Sequence, residues 1–246
     1  MSEKCNNSKK RRRLLAIAIT IIGILWVVIL SFAMWKHIIR NTEKNDLNTS
    51  IICIDAGHGF SDPGAKNTLI EPKTEAEINY SIASLLMEKL RALGFRVIML
   101  HNGDTIPLDY DTDGDGVFDV NERVNYSDTL DAAIYISIHC DSFPSNSDVQ
   151  GTRIYFQAAY NSHNGYIASQ IADSIDKSGI NERKTLTKPM KENDAFFVIR
   201  NRKNMISLLV ECGFITNASD AQKLTDQTYQ SDFAQAIAMG IYEYCN

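Results

Sequence analysis

The sequence predicts a single α/β domain, a mostly parallel twisted sheet flanked by helices, preceded by one N-terminal transmembrane helix. Three observations predict it. Short apolar, β-rich runs recur at Ile51–Asp55, Phe95–Leu100, Ala133–His139, Thr152–Phe156 and Ser207–Glu211. Between them lie stretches whose apolar residues repeat at helical spacing, and strands alternating with helices pack as a largely parallel sheet covered on both faces. A long uncharged run near the N-terminus supplies the membrane helix. With 13 Gly and 5 Pro among 246 residues, collagen-like and low-complexity chains are excluded.

Taken in order, the chain opens on a basic tail, residues 1–13, with six Lys/Arg and one Glu. Leu14 to Trp35 follow as a 22-residue run without a charge. As a helix this run spans about 33 Å, against about 30 Å of hydrocarbon in a bilayer. Lys9 to Arg13, just before it, keep the N-terminus in the cytoplasm and export the rest. A cleaved signal peptide competes, with small residues at Ser31 and Ala33, but its apolar region would run only ~7–15 residues. An uncleaved single-pass anchor in the cell membrane is therefore expected. Residues 36–49 read as a polar tether and 50–246 as one exported domain. The tail carries +5 and the tether +1, so of the overall −5 the domain holds −11. That balance argues against nucleic acid as a partner, since phosphate binding rewards clustered Lys and Arg.

Within the domain, Ile78, Ile82, Leu85, Leu86, Leu90 and Leu93 give residues 74–93 a helical stripe, which Gly94 closes as a C-cap. Ile167, Ile171 and Ile175 mark a second helix, and Phe233, Ile237, Ile241 and Tyr244 a third. Periodicity leaves the strand order open. Cys5 falls on the cytoplasmic side. Cys53, Cys140 and Cys212 lie in or just after apolar runs, where small buried thiols are common, so these and Cys245 read as thiols more than as disulfides.

In open α/β sheets ligands bind beyond the carboxyl ends of the strands, and three ionisable groups stand there. His58 sits between glycines in Asp55-Ala56-Gly57-His58-Gly59, His139 ends Ala133–His139, and Glu211 ends Ser207–Glu211. None of them is needed for packing. In Thr74-Glu75-Ala76-Glu77, Thr74 and Glu77 fit a capping box. Glu75 is left on the sheet-facing side, where a carboxylate needs a partner. His58, Glu75 and His139 make two imidazoles and one carboxylate, a donor set that suits a catalytic zinc with one open position. Other divalent ions accept the same donors. Glu211, desolvated at the end of an apolar strand, should have a raised pKa, fitting it to move a proton between a water and a leaving amine.

The stretches IICIDAGHGFSDPGA, EAEINYSIASLLMEKLRALGFRVIML, ERVNYSDTLDAAIYISIHCDS and LLVECGFITNASDAQKL resemble the zinc-dependent N-acetylmuramoyl-L-alanine amidases of bacterial cell walls. The resemblance runs from about Ile51 to Tyr244. It implies His58, Glu75 and His139 as zinc ligands, Glu211 as the catalytic carboxylate, and peptidoglycan as substrate, cut between the muramic acid lactyl group and L-alanine. It also implies a mostly parallel sheet with flanking helices. Two departures stand out. Ala56 replaces the proline usual before Gly-His, and the helix opens Glu75-Ala76-Glu77 where Glu-Lys-Asp is frequent, which keeps Glu77 as an alternative ligand. No long insertion of the kind that occludes zinc in some envelope amidases follows 152–156, and no wall-binding repeats are expected. A short membrane-anchored form of this kind is similar to the sporulation-linked amidases of the spore cortex. An activating protein partner of unknown identity stays open.

A second metal pattern spans residues 111–122. Asp111, Asp113 and Asp115 take positions 1, 3 and 5 of a twelve-residue calcium loop, with Gly116 at the turn. Val117 offers its carbonyl, followed by Asp119 and the bidentate Glu122. The competing reading is a solvated acidic loop. No amphipathic helix precedes Asp111, so this is not a full EF-hand, although a helix could start near Glu122. Calcium would order a loop near the substrate groove. Two other functions compete with the amidase: a cysteine-nucleophile wall hydrolase using Cys140 or Cys212, and a non-catalytic, calcium-ordered wall-binding module. The first leaves Glu75 without a role and asks a thiol to face the same way as its strand neighbour. The second has no use for Glu211.

Overall fold

The computed structural model describes residues 20–36, 50–66, 69, 73–102, 114, 118–159, 161–191, 193–200, 202 and 205–246. The chain divides into two compact units, Met1–Asp46 and Leu47–Asn246. In the first, residues 20–36 form a helix, α1; residues 14–19 of the expected membrane run lie outside the described residues. Among the described residues no helix is long and apolar enough to cross a membrane.

The second unit is an α/β domain. Its elements run β1 (Ile51–Ala56), α2 (Glu75–Ala92), β2 (Arg96–Met99), α3 (Val120–Thr129), β3 (Ala132–Asp141), β4 (Arg153–Gln157), α4 (His163–Ser178), β5 (Leu186–Met190), a 3-10 turn Phe197–Ile199, β6 (Ile206–Phe214), α5 (Ala218–Thr225) and α6 (Gln227–Cys245). The six strands are ordered β2-β1-β3-β6-β4-β5. Every neighbouring pair is parallel except β4 with β6, so the sheet is mixed but mostly parallel, as the sequence predicts.

Period-two alternation splits the core between the two faces. Ile134, Ile136 and Ile138 of β3, with Leu208 and Val210 of β6, join the apolar stripes of α2, α4 and α6. Tyr135 and Leu209 face the other way, against Phe118, Val198, Ile199 and the apolar side of α3. Cys53, Cys140, Cys212 and Cys245 are buried free thiols. The α2 helix starts at the capping box foreseen: Thr74 Oγ1 accepts from the Glu77 amide and Glu77 accepts from the Thr74 amide. It ends before Gly94, whose φ of 93° is the left-handed turn a C-cap glycine supplies.

Two elements escape the sequence reading for physical reasons. β5, LTKPM, is an exposed edge strand, so it has no apolar alternation, and the sheet edge tolerates Pro189. α5 is a short helix capped by Asn217, which has little room for a periodic stripe. Strand ends also shift. β3 runs on to Asp141 and β6 to Phe214, because a register shift between His139 and Asp141 lets β6 accommodate an extra residue. Glu211 thus stands inside its strand, just before that irregularity.

Close packing of α4 on α6 depends on Gly240. A Cβ there would lie 2.5 Å from Ile171 Cα and 2.9 Å from the Gln170 carbonyl oxygen, both main-chain atoms. Gly240→Ala is expected to destabilise the domain by about 3 kcal/mol, the upper part of the overpacking range. Urea unfolding of the variant against the parent checks it.

Candidate active site

The loop after β1 turns back sharply on itself. His58 has φ 66°, Gly59 115° and Phe60 55°, a left-handed path that costs energy for side-chain-bearing residues and marks an over-determined place. Reciprocal main-chain bonds between Gly59 and Asp62, both 2.9 Å, close the loop. Asp62 then sets the His58 ring: Asp62 Oδ2 lies 2.7 Å from Nδ1, and Oδ1 accepts from the Gly64 amide at 3.0 Å. Nε2 is left to point at Glu75 Oε1, 3.1 Å away. A carboxylate on the far nitrogen of a ligating histidine fixes its tautomer and orientation.

Glu75 opens α2 and reaches over the top of the sheet. Its Oε1 is 2.9 Å from His139 Nδ1 as well, so one oxygen faces both imidazoles. Its Oε2 accepts from the Ala65 amide at 3.0 Å. Asn79, one turn on and fully buried, donates from Nδ2 to the Gly57 carbonyl at 3.0 Å and to Glu75 Oε1 at 3.3 Å. It ties the helix to the loop that carries His58. The ligand atoms of His58, Glu75 and His139 all lie within 4.8 Å of one another, a group able to hold a metal ion. Two neutral-capable imidazoles and a buried carboxylate fit zinc. Glu77 is committed to the capping box and exposed; Glu75 is the acid that meets the histidines.

Charge couples His58 to Glu75. Burial disfavours a charged His58, but contact with Glu75 and then Asp62 outweighs it and lifts its pKa to about 9. Burial works against the Glu75 carboxylate too, yet His139 and His58 pull its pKa well below the usual carboxylate range. A pKa about 9 favours the protonated ring at pH 7, and a metal binding through Nε2 would have to displace that proton. Zinc affinity is therefore expected to rise about tenfold per pH unit from pH 7 and to flatten near the His58 pKa. Zinc titrations at stepped pH measure the slope.

Glu211 stands opposite His139 in the β3–β6 register and is 8% exposed. Burial, then the nearby Asp141 and Glu75 charges, push its pKa well above the ordinary value. Its Oε2 is buried with no protein hydrogen-bond partner. It shares with His58 and His139 a cleft of about 490 Å³ whose apolar wall includes Phe118, Phe196 and Phe197. Cys140 and Cys212 follow these site residues but face the helices on the other side of the sheet, and burial pushes the Cys140 thiol far up. Neither is placed to act as a nucleophile in the cleft.

Beneath the site, Asp55 is fully buried and accepts from Tyr135 Oη at 2.7 Å and Ser137 Oγ at 2.8 Å. Arg123 Nε lies 2.8 Å from its Oδ1. Burial alone would raise this carboxyl; Arg123 and the Tyr135 hydroxyl hold it down at about 2. The pair locks β1, β3 and α3 together under His58, Glu75 and His139. Of the predicted calcium loop, Asp111, Asp113, Asp115 and Val117 lie outside the described residues. Asp119 and Glu122 form a capping box on α3: Asp119 Oδ1 accepts from the Asn121 and Glu122 amides, and Glu122 accepts from the Asp119 amide. Asp62 and Asn79 were not foreseen, although they stand four residues after His58 and Glu75, where side chains meet across a tight loop or on a helix.

The model of a family described as N-acetylmuramoyl-L-alanine amidase matches residues 52–243. The N-acetylmuramoyl-L-alanine amidase LytC of Bacillus subtilis is 34% identical over 209 residues, covering 84% of this chain and 38% of LytC. The germination-specific N-acetylmuramoyl-L-alanine amidase of the same organism is 29% identical over 202 residues, 80% of this chain and 81% of that protein. Among solved structures, the CwlD amidase from Clostridioides difficile in complex with the GerS lipoprotein has a TM-score of 0.64 at 27% identity, covering 80% of this chain and 98% of that one.

Proposed function

Because the chain belongs to the N-acetylmuramoyl-L-alanine amidase family, we propose that it hydrolyses the amide between the muramic acid lactyl group and L-alanine in peptidoglycan. The observation that carries this reading is the pairing of a His58–Glu75–His139 donor set with a buried, unpartnered carboxylate oxygen of Glu211 on the same cleft. His58 Nε2, Glu75 Oε1 and His139 Nδ1 would hold zinc. The chemistry zinc supplies there when bound is Lewis acidity toward a water and toward the scissile carbonyl. Glu211 accepts the proton of the attacking water and returns it to the departing L-alanine nitrogen. Asp62 and Asn79 keep the ligands aimed, and the cleft's apolar wall limits competing water.

By the same reading, residues 14–35 anchor the protein in the cell membrane and residues 50–246 work on its outer side, reached across the tether 36–49. Wall or cortex remodelling during sporulation is the proposed setting, supported by likeness to a germination-specific relative. Loop 111–122 is proposed as an accessory calcium site on its pattern of side chains; a calcium-dependent rise in melting temperature, absent in Asp113→Asn, is its test. For the amidase itself, the full-length protein is incubated with purified peptidoglycan and newly exposed N-terminal L-alanine is measured. Release that is lost to a chelator and restored by zinc supports the reading. A zinc-loaded protein that leaves wall and soluble muropeptides uncut overturns it.

A further inference from the structure

Arg153 stands directly across from Glu211 in the antiparallel β4–β6 pair. Residues opposed in this way have Cα atoms about 4.5–5.5 Å apart and side chains on one face of the sheet. The Arg153 guanidinium lies over the Phe214 ring, its carbon 4.4 Å from the ring centroid. Its ion pair is a single contact, Nη1 to Asp141 Oδ2 at 3.4 Å, and both side chains are 25% exposed. Its Nε is buried with no acceptor. This differs from Arg123, which lines the cleft but is consumed by Asp55 and by the Phe118 carbonyl. In a domain of net charge −11, Arg153, which also meets the Tyr155 hydroxyl, is a partly exposed cation one strand beyond the carboxylate that moves the proton.

Direction follows from the proton. Glu211 must reach the departing amine, so the leaving peptide lies on its side of the scissile bond. The next group on that side is Arg153. From the scissile nitrogen, a main-chain carboxylate on the second stem residue is about 6 Å away in an extended peptide. That is close to one strand spacing, about 5 Å, the lateral step between side chains that rise from paired residues on one face. In a stem whose second residue is a γ-linked glutamate, that carboxylate is free, or is blocked as the amide. A planar guanidinium seated over an aromatic ring is suited to a carboxylate and has no special partner in a carboxamide.

We propose that Arg153 binds the carboxylate of the stem residue after L-alanine, so that the enzyme selects stems carrying the acid there over those carrying its amide. This rests on the amidase reading above and adds a specificity to it. The test uses the full-length, zinc-loaded protein on matched short glycan chains bearing either L-alanyl-D-isoglutamyl or L-alanyl-D-isoglutaminyl stems. The parent should favour the acid by about tenfold or more in kcat/KM, the scale of a charge-assisted hydrogen bond. Arg153→Met keeps bulk against Phe214 and should bring the ratio near one by losing activity on the acid alone. Arg153→Lys should retain part of the preference. Because each ratio is taken within one preparation, it does not depend on how much of a variant is folded. A parent that cuts both stems equally, or an Arg153→Met protein that keeps the parent's ratio, overturns the proposal and leaves the amidase reading standing. A parent that cuts neither overturns both.

Discussion

Glu211→Gln is expected to lower amide hydrolysis by roughly a thousandfold, within the range for a positioned acid–base, while zinc still binds. The substitution preserves size and shape at a residue 8% exposed in the wall of β6. It removes the ability to take and return a proton and nothing else. The proposed ligands lie elsewhere, His58 in the loop after β1, Glu75 on α2 and His139 on β3. Glutamine also relieves a cost: the parent buries a carboxylate oxygen with no hydrogen-bond partner, beside the Asp141 and Glu75 charges that push its pKa up. The variant should therefore be at least as stable as the parent, a sign opposite to that of most mutations in a core. Activity, bound zinc and melting temperature measured on one preparation separate the effects. Activity within tenfold of the parent would show that Glu211 does not carry the proton. Loss of zinc together with activity would make it part of the metal shell.

Residues that chemistry places where packing does not need them were legible in the sequence. His58, His139 and Glu211 each interrupt or end an apolar run, and Glu75 stood out because the capping box accounted for Glu77. The class of the domain was legible for the same reason, since alternation and helical stripes are local patterns. What was not legible depends on closeness between distant segments. The Asp62–Gly64 turn that aims His58, and the reach of Asn79 from α2 to the Gly57 carbonyl 22 residues earlier, have no periodicity to give them away. The antiparallel placement of β4 beside β6 has none either. It brings Arg153 to Glu211 across 58 residues of chain. Strand β5 was hidden because an exposed edge asks for no apolar face. The sequence reading thus succeeded where a residue's oddness is visible against its neighbours and stopped where its partner lies elsewhere.

Gly57→Ala is expected to weaken metal binding, with zinc affinity falling about a hundredfold and activity falling with it, the upper end of what disturbed ligand orientation costs a metal site. The sequence motif alone explains Gly57 as a residue that lets the chain turn, but its φ is not among the positive ones. Its need is steric. A Cβ there would sit 2.1 Å from His139 Nε2, 2.2 Å from Cε1 and 2.4 Å from Cδ2, so the methyl would occupy the ring itself. His139 must leave, and its Nδ1 loses the 2.9 Å approach to Glu75. Nor can the loop yield cheaply, since the Gly57 amide donates to the Ile138 carbonyl at 2.9 Å and its carbonyl accepts from Asn79. Gly64→Ala should act similarly through the other ligands. Its φ is 61°, and its Cβ would lie 2.7 Å from both Glu75 Oε2 and His58 Cδ2. The control is Gly94→Ala, at φ 93° with nothing within 4 Å of the added carbon. It should cost about 1 kcal/mol of stability through backbone strain and leave zinc affinity unchanged. Zinc binding and urea unfolding of the three variants decide the matter: if Gly57→Ala binds zinc as Gly94→Ala does, His139 is not a ligand through the edge that faces Glu75.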